Sequence, residues 1–249
     1  MTGRLDGVCV LISGASRGQG AAESRAVVRE GGTVVLGDVL ESEGRALADE
    51  LGPNAHFTYL DVRSAQDWSR AVSLGEEHYG SVGALVNNAG ILERGRIDQI
   101  TPEEFAKTQD INVTGTFLGI QAVWRSMAQR GGGSIVNISS VGGMLGAGAA
   151  CAYITSKWAV RGMAKAAASD LARYAIRVNS VHPGPIATAM IMDDSFDEEA
   201  FLNHNKSRMP LRRLGQPDEV ASVVVFLVSP ESSYVTGVSL PVDGAYTAL

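Results

Sequence analysis

A tyrosine and a lysine separated by three residues form the first pair in this sequence whose side chains could act on one substrate together. Tyr153 and Lys157 stand four positions apart, so a helix through them would place both side chains on one face, one turn apart. A lysine ammonium near a phenol favours the phenolate and lowers a pKa that starts at about 10. Such a pair could serve as a general acid and base closer to neutral pH, although an isolated pair at this spacing is usually an ordinary surface contact.

Ser140 strengthens the catalytic interpretation of that pair. It follows the apolar run at residues 134–138, which is predicted to form a buried strand, and it lies 13 residues before Tyr153. The ends of parallel strands and the beginnings of the helices that follow them meet at one edge of a sheet. We therefore expect the Ser140 hydroxyl to reach the same substrate oxygen as the Tyr153 phenol.

A glycine-rich turn near the N-terminus could hold a phosphate. Gly14, Gly18 and Gly20 follow the first predicted strand and open the first predicted helix. Their spacing, G-x-x-x-G-x-G, differs from the dinucleotide fingerprint G-x-G-x-x-G. The physical basis is shared, because glycine lets backbone approach a pyrophosphate at the positive end of a helix. A glycine-rich turn without a ligand explains these three residues about equally well.

An acid at the end of the second predicted strand favours the dinucleotide interpretation. Asp38 stands 24 residues after Gly14, where a carboxylate accepts hydrogen bonds from both ribose hydroxyls of an adenosine. A 2′-phosphate in that place would be repelled, so Asp38 favours NAD over NADP as the cofactor. Arg17 weighs in the other direction, since a nearby arginine can accommodate that phosphate. We give the carboxylate more weight.

Ligand-compatible residues also end the next two predicted strands. Asp61 and Val62 follow the third strand, where an acid could bond an adenine amino group, and Asn88, Ala89 and Gly90 follow the fourth. In open α/β sheets the loops at these strand ends line one crevice. Up to this point an S-adenosylmethionine methyltransferase would fit nearly as well, but a methyltransferase has no use for the tyrosine, lysine and serine described above.

Apolar, β-branched runs alternate with helical segments through the whole chain. This alternation is typical of an α/β Rossmann fold, one doubly wound parallel sheet of about seven strands with helices on both faces. We expect residues 1–249 to form a single domain. Strands are predicted at residues 8–12, 33–38, 56–60, 84–87, 134–138, 176–181 and 238–242, and helices at 20–30, 41–51, 64–79, 101–129 with a break near 113, 152–174 and 216–228.

Composition excludes several classes of partner. The formal net charge is -6 and the longest basic run is the pair Arg212 and Arg213, so nucleic-acid binding is not expected. The cleanest aliphatic stretch is far too short to span a membrane, and the N-terminal residues show no signal-peptide pattern, so we expect a cytoplasmic protein.

No metal site is predicted, because Cys9 and Cys151 lie in unrelated segments and His182 lacks a partner in register. We interpret His182 as a structural residue at a strand end.

Taken together, the motifs resemble those of the short-chain dehydrogenase/reductase family. The resemblance runs in order through residues 13–188, with two small departures: Ser13 replaces a commoner threonine, and Gln19 replaces an aliphatic residue. It implies a homotetramer assembled through the long helix that begins near Ala152 and through the last strand. The matching positions are Gly14, Gly18, Gly20, Asp61, Asn87, Asn88, Ala89, Gly90, Asn112, Ser140, Tyr153, Lys157, Pro183, Gly184 and Thr188.

The resemblance also implies a role for each residue of the site. Tyr153 would exchange a proton with the substrate oxygen, Ser140 would hydrogen-bond that oxygen, and Lys157 would bind the nicotinamide ribose and lower the pKa of the tyrosine. Asn112 would break its helix and hold a water of the proton relay. The cofactor contacts implied are Gly14, Arg17, Gly18, Gln19, Gly20, Asp38, Asp61, Val62, Asn88, Ala89, Gly90, Tyr153, Lys157, Pro183, Gly184, Ile186 and Thr188.

The segment at residues 189–213 is expected to form a lid over the substrate. It mixes apolar residues with acids such as Asp193 and Asp194, which would suit a bulky apolar alcohol or ketone and disfavour anions. An ordinary amphipathic helix would show the same pattern. The substrate wall is predicted to comprise Ser140, Val141, Met144, Leu145, Tyr153 and Met190.

Within the family, residues 3–5, 35–38 and 134–140 resemble bacterial NAD-dependent hydroxysteroid dehydrogenases of the 3α/20β type. We therefore expect hydride transfer between NAD(H) and an apolar cyclic or steroid-like secondary alcohol or ketone. One alternative is a β-ketoacyl-carrier reductase, for which Arg130 and Arg173 could form a basic docking site, although such enzymes usually prefer NADP. Another is a nucleotide-sensing protein of the same fold without catalysis, which would not need the tyrosine and lysine.

Overall fold

The computed structural model, which describes residues 3–192 and 196–248, contains a seven-stranded sheet in which every neighbouring pair is parallel. The strand order is β3-β2-β1-β4-β5-β6-β7, so the chain builds outward from β1 in both directions. This confirms the predicted doubly wound sheet. The strands are Cys9–Ser13 (β1), Thr33–Asp38 (β2), Ala55–Tyr59 (β3), Ala84–Asn87 (β4), Gly133–Ile138 (β5), Ile176–Pro183 (β6) and Ser239–Val242 (β7).

Helices cover both faces of the sheet. Alternate side chains of β1 enter two separate apolar cores, Val10 and Ile12 on one face and Cys9 and Leu11 on the other. The first core is closed by α1, α2 and α8, and the second by α3, α5 and α6. The helices are Gly18–Arg29 (α1), Glu41–Leu51 (α2), Ala65–Tyr79 (α3), Pro102–Gln109 (α4), Gly115–Gln129 (α5), Cys151–Leu171 (α6), Glu198–His204 (α7) and Pro217–Val228 (α8).

Local signals in the sequence fix where two of these helices begin. The Ser64 hydroxyl accepts a hydrogen bond from Asp67 N and so caps α3. Thr101 and Glu104 form a reciprocal capping box at the start of α4, with Pro102 as its first residue. Both starts are confirmed as predicted.

The break predicted near residue 113 is a short π-helical turn, Asp110–Thr114, between α4 and α5. The turn does not end the helical path, because α5 continues directly from Gly115. It carries the buried residue Asn112. π-turns insert one residue into a helix and so re-aim side chains, which is why they are frequent at functional sites.

The long connection between β6 and α8 is pinned at its ends by a bridge between Ile186 and Gly215. It contains α7, whose acids are exposed, while Phe201 and Leu202 on its other side are partly buried. The pattern of the helix is amphipathic, and the role of residues 189–213 as a substrate lid stays a prediction. Asp193 and Asp194 of that predicted lid lie outside the described residues.

Two further findings concern residues 3–192 and 196–248 as a whole. No helix in these ranges combines the length and the apolar character needed to cross a bilayer. Over the same residues, no three His, Cys, Asp or Glu side chains are grouped as the ligands of a metal ion would be. Both thiols, Cys9 and Cys151, are free.

Glu23 is an unusual residue of the first core. It lies on α1 and is fully buried, and neither carboxyl oxygen has a hydrogen-bond partner among the described residues. Burial raises its pKa from the ordinary 4.5 to about 8, because a charged carboxylate loses its hydration there. Glu23 is therefore protonated at neutral pH in the folded protein.

Glu23→Gln should remove part of the pH dependence of stability. The folded-state pKa of Glu23 lies above its ordinary value, so the folded state holds this proton more tightly than the unfolded chain does. The free energy of unfolding is therefore unaffected at low pH and falls as the pH rises from about 4.5 toward about 8. The loss is at most roughly 5 kcal/mol, since one pKa unit corresponds to about 1.4 kcal/mol. Urea denaturation between pH 5 and 9 measures it.

Glu43→Gln, which removes an exposed carboxylate from α2, is the matched control. The native chain and the Glu43→Gln variant should lose stability together as the pH rises, whereas the Glu23→Gln variant should lose less. Parallel curves for all three proteins would contradict the assignment of a buried, protonated Glu23.

Candidate active site

The residues predicted to do chemistry gather at the carboxyl edge of the sheet. The strand order reverses between β1 and β4, and the loops after these two strands diverge to opposite faces. In open parallel sheets, ligands bind in the crevice that such a reversal creates. The loops after the first six strands, together with the π-turn and the start of α6, supply the side chains described below.

The glycine-rich loop after β1 presents bare backbone at the start of α1. Gly14 and Gly18 have positive φ values of 65° and 57°, which side chains rarely adopt. A Cβ on Gly14 would lie 2.8 Å from Ala89 Cα, and a Cβ on Gly20 would overlap the Gly14 carbonyl. The helix begins at Gly18, and no side chain caps its first N–H groups. This cradle fits a pyrophosphate.

Ser13 and Asn88 lock the two diverging loops together. The Ser13 hydroxyl oxygen accepts hydrogen bonds from Asn88 N and Ala89 N, both at 3.2 Å. In return, Asn88 Nδ2 donates to the carbonyls of Ser13 (3.1 Å) and Gly14 (2.8 Å). The side chain of Asn88 therefore shapes the cradle. Ser13 supplies the hydroxyl oxygen that accepts from the loop after β4, as a threonine at this position could. A direct contact from Asn88 to a cofactor stays a prediction.

Asp38 is a buried carboxylate at the end of β2. Its Oδ2 accepts from Ser16 N (2.9 Å) and its Oδ1 from Leu40 N (3.1 Å), so backbone donors fix its orientation. Each carboxylate oxygen has a further lone pair, which leaves room for two ribose hydroxyls. Arg17, in the loop after β1, is exposed. Of the two charged side chains, only that of Asp38 is buried and held by backbone donors.

Asp61 is already engaged by a neighbour. Its Oδ1 and Oδ2 accept from Arg63 Nε and Nη2 at 2.9 and 2.6 Å, and this guanidinium lowers the pKa of the carboxyl. The ion pair takes one acceptor position on each carboxylate oxygen, and a contact from Asp61 to an adenine amino group stays a prediction. Val62, the next residue, is buried beneath α5, where a Cβ on Gly115 would lie 2.7 Å from it.

Tyr153 and Lys157 face each other on the first turns of α6, as their spacing predicts. The Lys157 ammonium lies 5.5 Å from the centroid of the Tyr153 ring. Lys157 is 5% exposed, and its Nζ donates to the carbonyl of Ile138 at the end of β5 (2.9 Å). The pair is thereby anchored to the sheet edge.

The pKa of Tyr153 shifts in the direction opposite to the one expected. Burial raises it above the ordinary value, and a side-chain hydrogen bond from Ser140 offsets only part of the rise. Burial also lowers the pKa of Lys157 to about 8, since desolvation disfavours its charged form. The raised pKa reflects burial and not the contribution of the lysine, so the expectation that the Lys157 ammonium favours the Tyr153 phenolate stays a prediction.

Ser140 lies beside Tyr153 and caps a short 3-10 turn, Val141–Gly143. The Ser140 hydroxyl oxygen accepts from Gly142 N (3.0 Å), which leaves its proton free to be donated. A Cβ on Gly142 would lie 3.5 Å from both Ser140 Oγ and Tyr153 Cε1. The other predicted wall residues near this turn, Met144 and Leu145, are partly buried, as is Val141, while Met190 on the lid is 47% exposed.

Asn112 ties the π-turn to the loop after β4. Its Oδ1 accepts from Ile91 N (2.9 Å), and its Nδ2 donates to Ile91 O and to Ser156 Oγ, both at 3.0 Å. Its own carbonyl accepts from Thr116 Oγ1 (2.8 Å). Ser156, on α6 between the tyrosine and the lysine, was not singled out from sequence. Its position inside the Y-x-x-x-K spacing is the signal that could have found it.

Gly90 lies where Asn112 and Lys157 meet. A Cβ there would be 3.2 Å from Asn112 Oδ1 and 3.4 Å from Lys157 Nζ. The structure thus brings Asn112 and Lys157 to one point, with Tyr153 and Ser140 on the other side of the lysine. All four residues predicted to be catalytic converge.

The chain after β6 returns to the glycine cradle. Gly184, which follows Pro183, donates from its N to Val242 O (3.0 Å), and Ile186 is buried. A Cβ on Gly18 would lie 3.5 Å from Thr188 Cγ2. The segment predicted to hold the nicotinamide end therefore lies against the loop predicted to hold the pyrophosphate.

Arg130 and Arg173 do not contribute to this site. Arg130 precedes β5 and donates to the carbonyl of Gly7, which precedes β1. Arg173 precedes β6 and stacks on Tyr174. Both arginines lie at the amino edge of the parallel sheet, opposite the crevice, and a basic docking site for an acyl-carrier substrate there stays a prediction.

Comparison with known proteins agrees with this geometry. The sequence model of the family described as enoyl-(acyl carrier protein) reductase, one of the short-chain dehydrogenase models, matches residues 14–247. The 3-alpha-(or 20-beta)-hydroxysteroid dehydrogenase of Mycobacterium tuberculosis is 44% identical over 248 residues, covering 100% of this chain and 92% of the relative.

Two other relatives carry names that refer to small rings. The trans-4-hydroxycyclohexanecarboxylate dehydrogenase of Sinomonas cyclohexanicum is 41% identical, over 96% of this chain and 92% of its own length. The cyclopentanol dehydrogenase of Comamonas testosteroni is 43% identical, over 99% of each chain.

Ser13→Ala should destabilise the protein by roughly 1 kcal/mol, because it removes the acceptor of the partly buried Ala89 N–H and one of the two acceptors of Asn88 N, which also donates to Val86 O (3.1 Å). Ser13→Thr keeps the hydroxyl and should stay close to the native free energy of unfolding, measured by urea denaturation. Equal stability of the alanine and threonine variants would contradict the clamp.

Proposed function

The chain belongs to the short-chain dehydrogenase/reductase family, and from that membership we propose that it transfers a hydride between NAD(H) and a cyclic secondary alcohol or ketone. The observation that supports this most is the convergence of Ser140, Tyr153 and Lys157 beside a glycine cradle at one sheet edge. The family makes the protein an oxidoreductase. The residue roles, the choice of NAD and the substrate are the proposal. A catalytically silent sensor would have no need of this convergence.

The buried acid supports NAD as the cofactor. Asp38 is held by two backbone N–H groups, so it cannot swing away from an incoming 2′-phosphate. Two like charges a few ångströms apart repel strongly where water is scarce. Arg17, being exposed, would compensate only weakly. The residues that would hold the dinucleotide are the cradle of α1, Asp38, Lys157 and the segment at residues 183–188.

Tyr153 carries out the proton transfer. In the oxidative direction, a bound NAD+ supplies the acceptor for the hydride that leaves the carbinol carbon. The Tyr153 oxygen takes the hydroxyl proton of the substrate, and the Ser140 hydroxyl donates a hydrogen bond to the substrate oxygen. The ammonium of Lys157 favours the phenolate form that can accept a proton. Asn112 holds the loop and helix that carry these groups.

A cyclic secondary alcohol fits the wall of the site. Val141, Met144 and Leu145 supply partly buried apolar surface beside Ser140, and Met190 extends it from the lid. The relatives named above act, by their names, on a hydroxysteroid, trans-4-hydroxycyclohexanecarboxylate and cyclopentanol. The ring-bearing secondary carbinol is the feature that these substrates share.

The proposal extends to assembly and location. Two large apolar side chains, Phe117 on α5 and Trp158 on α6, are about half exposed on neighbouring helices. Burying such a surface against a second copy would stabilise an oligomer, and we infer a homotetramer that acts in the cytoplasm.

Tyr153→Phe should abolish oxidation of a cyclic alcohol while leaving the dinucleotide site intact. The phenylalanine keeps the ring but cannot accept or donate the proton, so kcat should fall by roughly 100- to 10,000-fold. A panel of cyclopentanol, cyclohexanol, a terpenoid alcohol and a 3α-hydroxysteroid, each with NAD+, is followed by NADH absorbance, and NADH binding by fluorescence titration.

Tyr59→Phe, which removes an exposed phenol from β3, is the control and should keep native kcat. Native kcat in the Tyr153→Phe variant would exclude the phenol as the acid/base. A native protein that oxidises no member of the panel would contradict the substrate class.

Asp38→Asn should raise kcat/KM with NADP+ relative to NAD+ by roughly tenfold or more, because it removes the charge and keeps the size of the side chain. Glu41→Gln removes an equal charge from the exposed start of α2 and should leave the ratio unchanged. A native enzyme that prefers NADP+ would refute the role of Asp38.

A further inference from the structure

A fully buried histidine connects the end of β6 to the predicted substrate-binding serine. His182 is the penultimate residue of β6 and is 0% exposed. Its Nδ1 lies 2.8 Å from the carbonyl oxygen of Ser140, and its Nε2 lies 2.9 Å from Ser180 Oγ on the same strand. Sequence reasoning treated this histidine as structural because no acid stands in register with it.

The two contacts determine which ring nitrogen carries the proton. A carbonyl oxygen can only accept, so Nδ1 of His182 must be the donor to Ser140. Nε2 is then the acceptor, and the Ser180 hydroxyl donates to it. Burial lowers the pKa of His182 to about 4, so the ring stays neutral through the working pH range. His182 is thus a fixed donor and not a proton carrier.

Backbone pairing cannot replace this side chain. The register of β5 with β6 ends at Ile138 and Val181, and Ser139 N donates to Val181 O (2.8 Å) just beyond it. The strand then reaches Pro183, which has no N–H to offer. The imidazole N–H of His182 adds a cross-strand bond beyond the backbone ladder, to the carbonyl of Ser140.

Ser140 is therefore held at two atoms. His182 fixes its carbonyl oxygen, and Gly142 N donates to its Oγ, which sets the side-chain rotamer. Only the hydroxyl proton remains to be directed at Tyr153 or at a substrate oxygen. In the sequence, His182 directly precedes Pro183 and Gly184, the start of the segment predicted to hold the nicotinamide end.

We propose that His182 is a positioning residue that sets the place of the Ser140 hydroxyl relative to the nicotinamide segment after β6. It touches neither substrate nor cofactor and acts through the carbonyl of Ser140. This inference rests on the proposed function of the same site. Misplacing a catalytic group by about 1 Å can cost roughly 100-fold in rate, so losing this bond should be visible in kcat while the cofactor site is unchanged.

Two substitutions at this position separate the bond from the packing. His182→Leu fills the space but cannot donate, and should lower kcat by roughly 10- to 100-fold while the dissociation constant of NADH changes by less than about twofold. His182→Asn places an amide N–H close to the former Nδ1 and should recover most of the loss.

Asn179→Leu is the matched control on the same strand. Asn179 is equally buried and also makes two side-chain hydrogen bonds, to Val235 O and from Val238 N, but these lead away from Ser140. Per folded molecule, this variant should keep native kcat. Native kcat in the His182→Leu variant, or an equal loss in the Asn179→Leu variant, would overturn the proposal.

A spectroscopic measurement on the native protein tests the same bond without catalysis. The 15N shifts of the four histidines, with His182 assigned by its absence in the asparagine variant, should show a neutral ring protonated at Nδ1 from pH 6 to 9. A ring protonated at Nε2 could not bond Ser140 and would overturn the proposal. Lack of turnover in the native protein would instead contradict the proposed function alone.

Discussion

The parallel pairing of β1 with β2 on one side and with β4 on the other is the constraint on which the whole site depends. It forces the chain to leave β1 and β4 toward opposite faces and so opens a crevice at their carboxyl ends. Every other strand adds its own carboxyl end to that edge. Residues from six separate parts of the chain can meet there only because all the strands point the same way.

Hydrogen bonds more than apolar packing then hold the edge in shape. Ser13 clamps the loops after β1 and β4, and Asn112 binds the loop after β4 to the π-turn and to α6. Lys157 joins α6 to β5 twice, since its Nζ donates to Ile138 O and its carbonyl accepts from Ser139 Oγ. His182 adds the link from β5 to β6. The reacting groups rest on a connected set of buried polar side chains, and each of them has a geometric reason to be polar.

The sequence predicted the elements well because they depend on local chemistry. The capping residues Ser64 and Thr101 fixed helix starts, and apolar β-branched runs marked all seven strands. The convergence of Ser140, Tyr153 and Lys157 followed from the topology of parallel sheets. The rise in the pKa of Tyr153 could not be predicted from the sequence, because the burial that causes it depends on the full tertiary packing. Side-chain partners such as Arg63 for Asp61, and the carbonyl of Ser140 for His182, come from three-dimensional placement that no spacing reveals.

The central claim is that this site moves a hydride from a ring carbinol to NAD+. The most direct measurement is the mass of the reduced dinucleotide formed when the native protein acts on cyclohexanol deuterated at its carbinol carbon. The account predicts NADH that carries one deuterium on its nicotinamide ring, together with unlabelled cyclohexanone. Reduced dinucleotide without deuterium, or none at all from this or any other cyclic secondary alcohol, would contradict it.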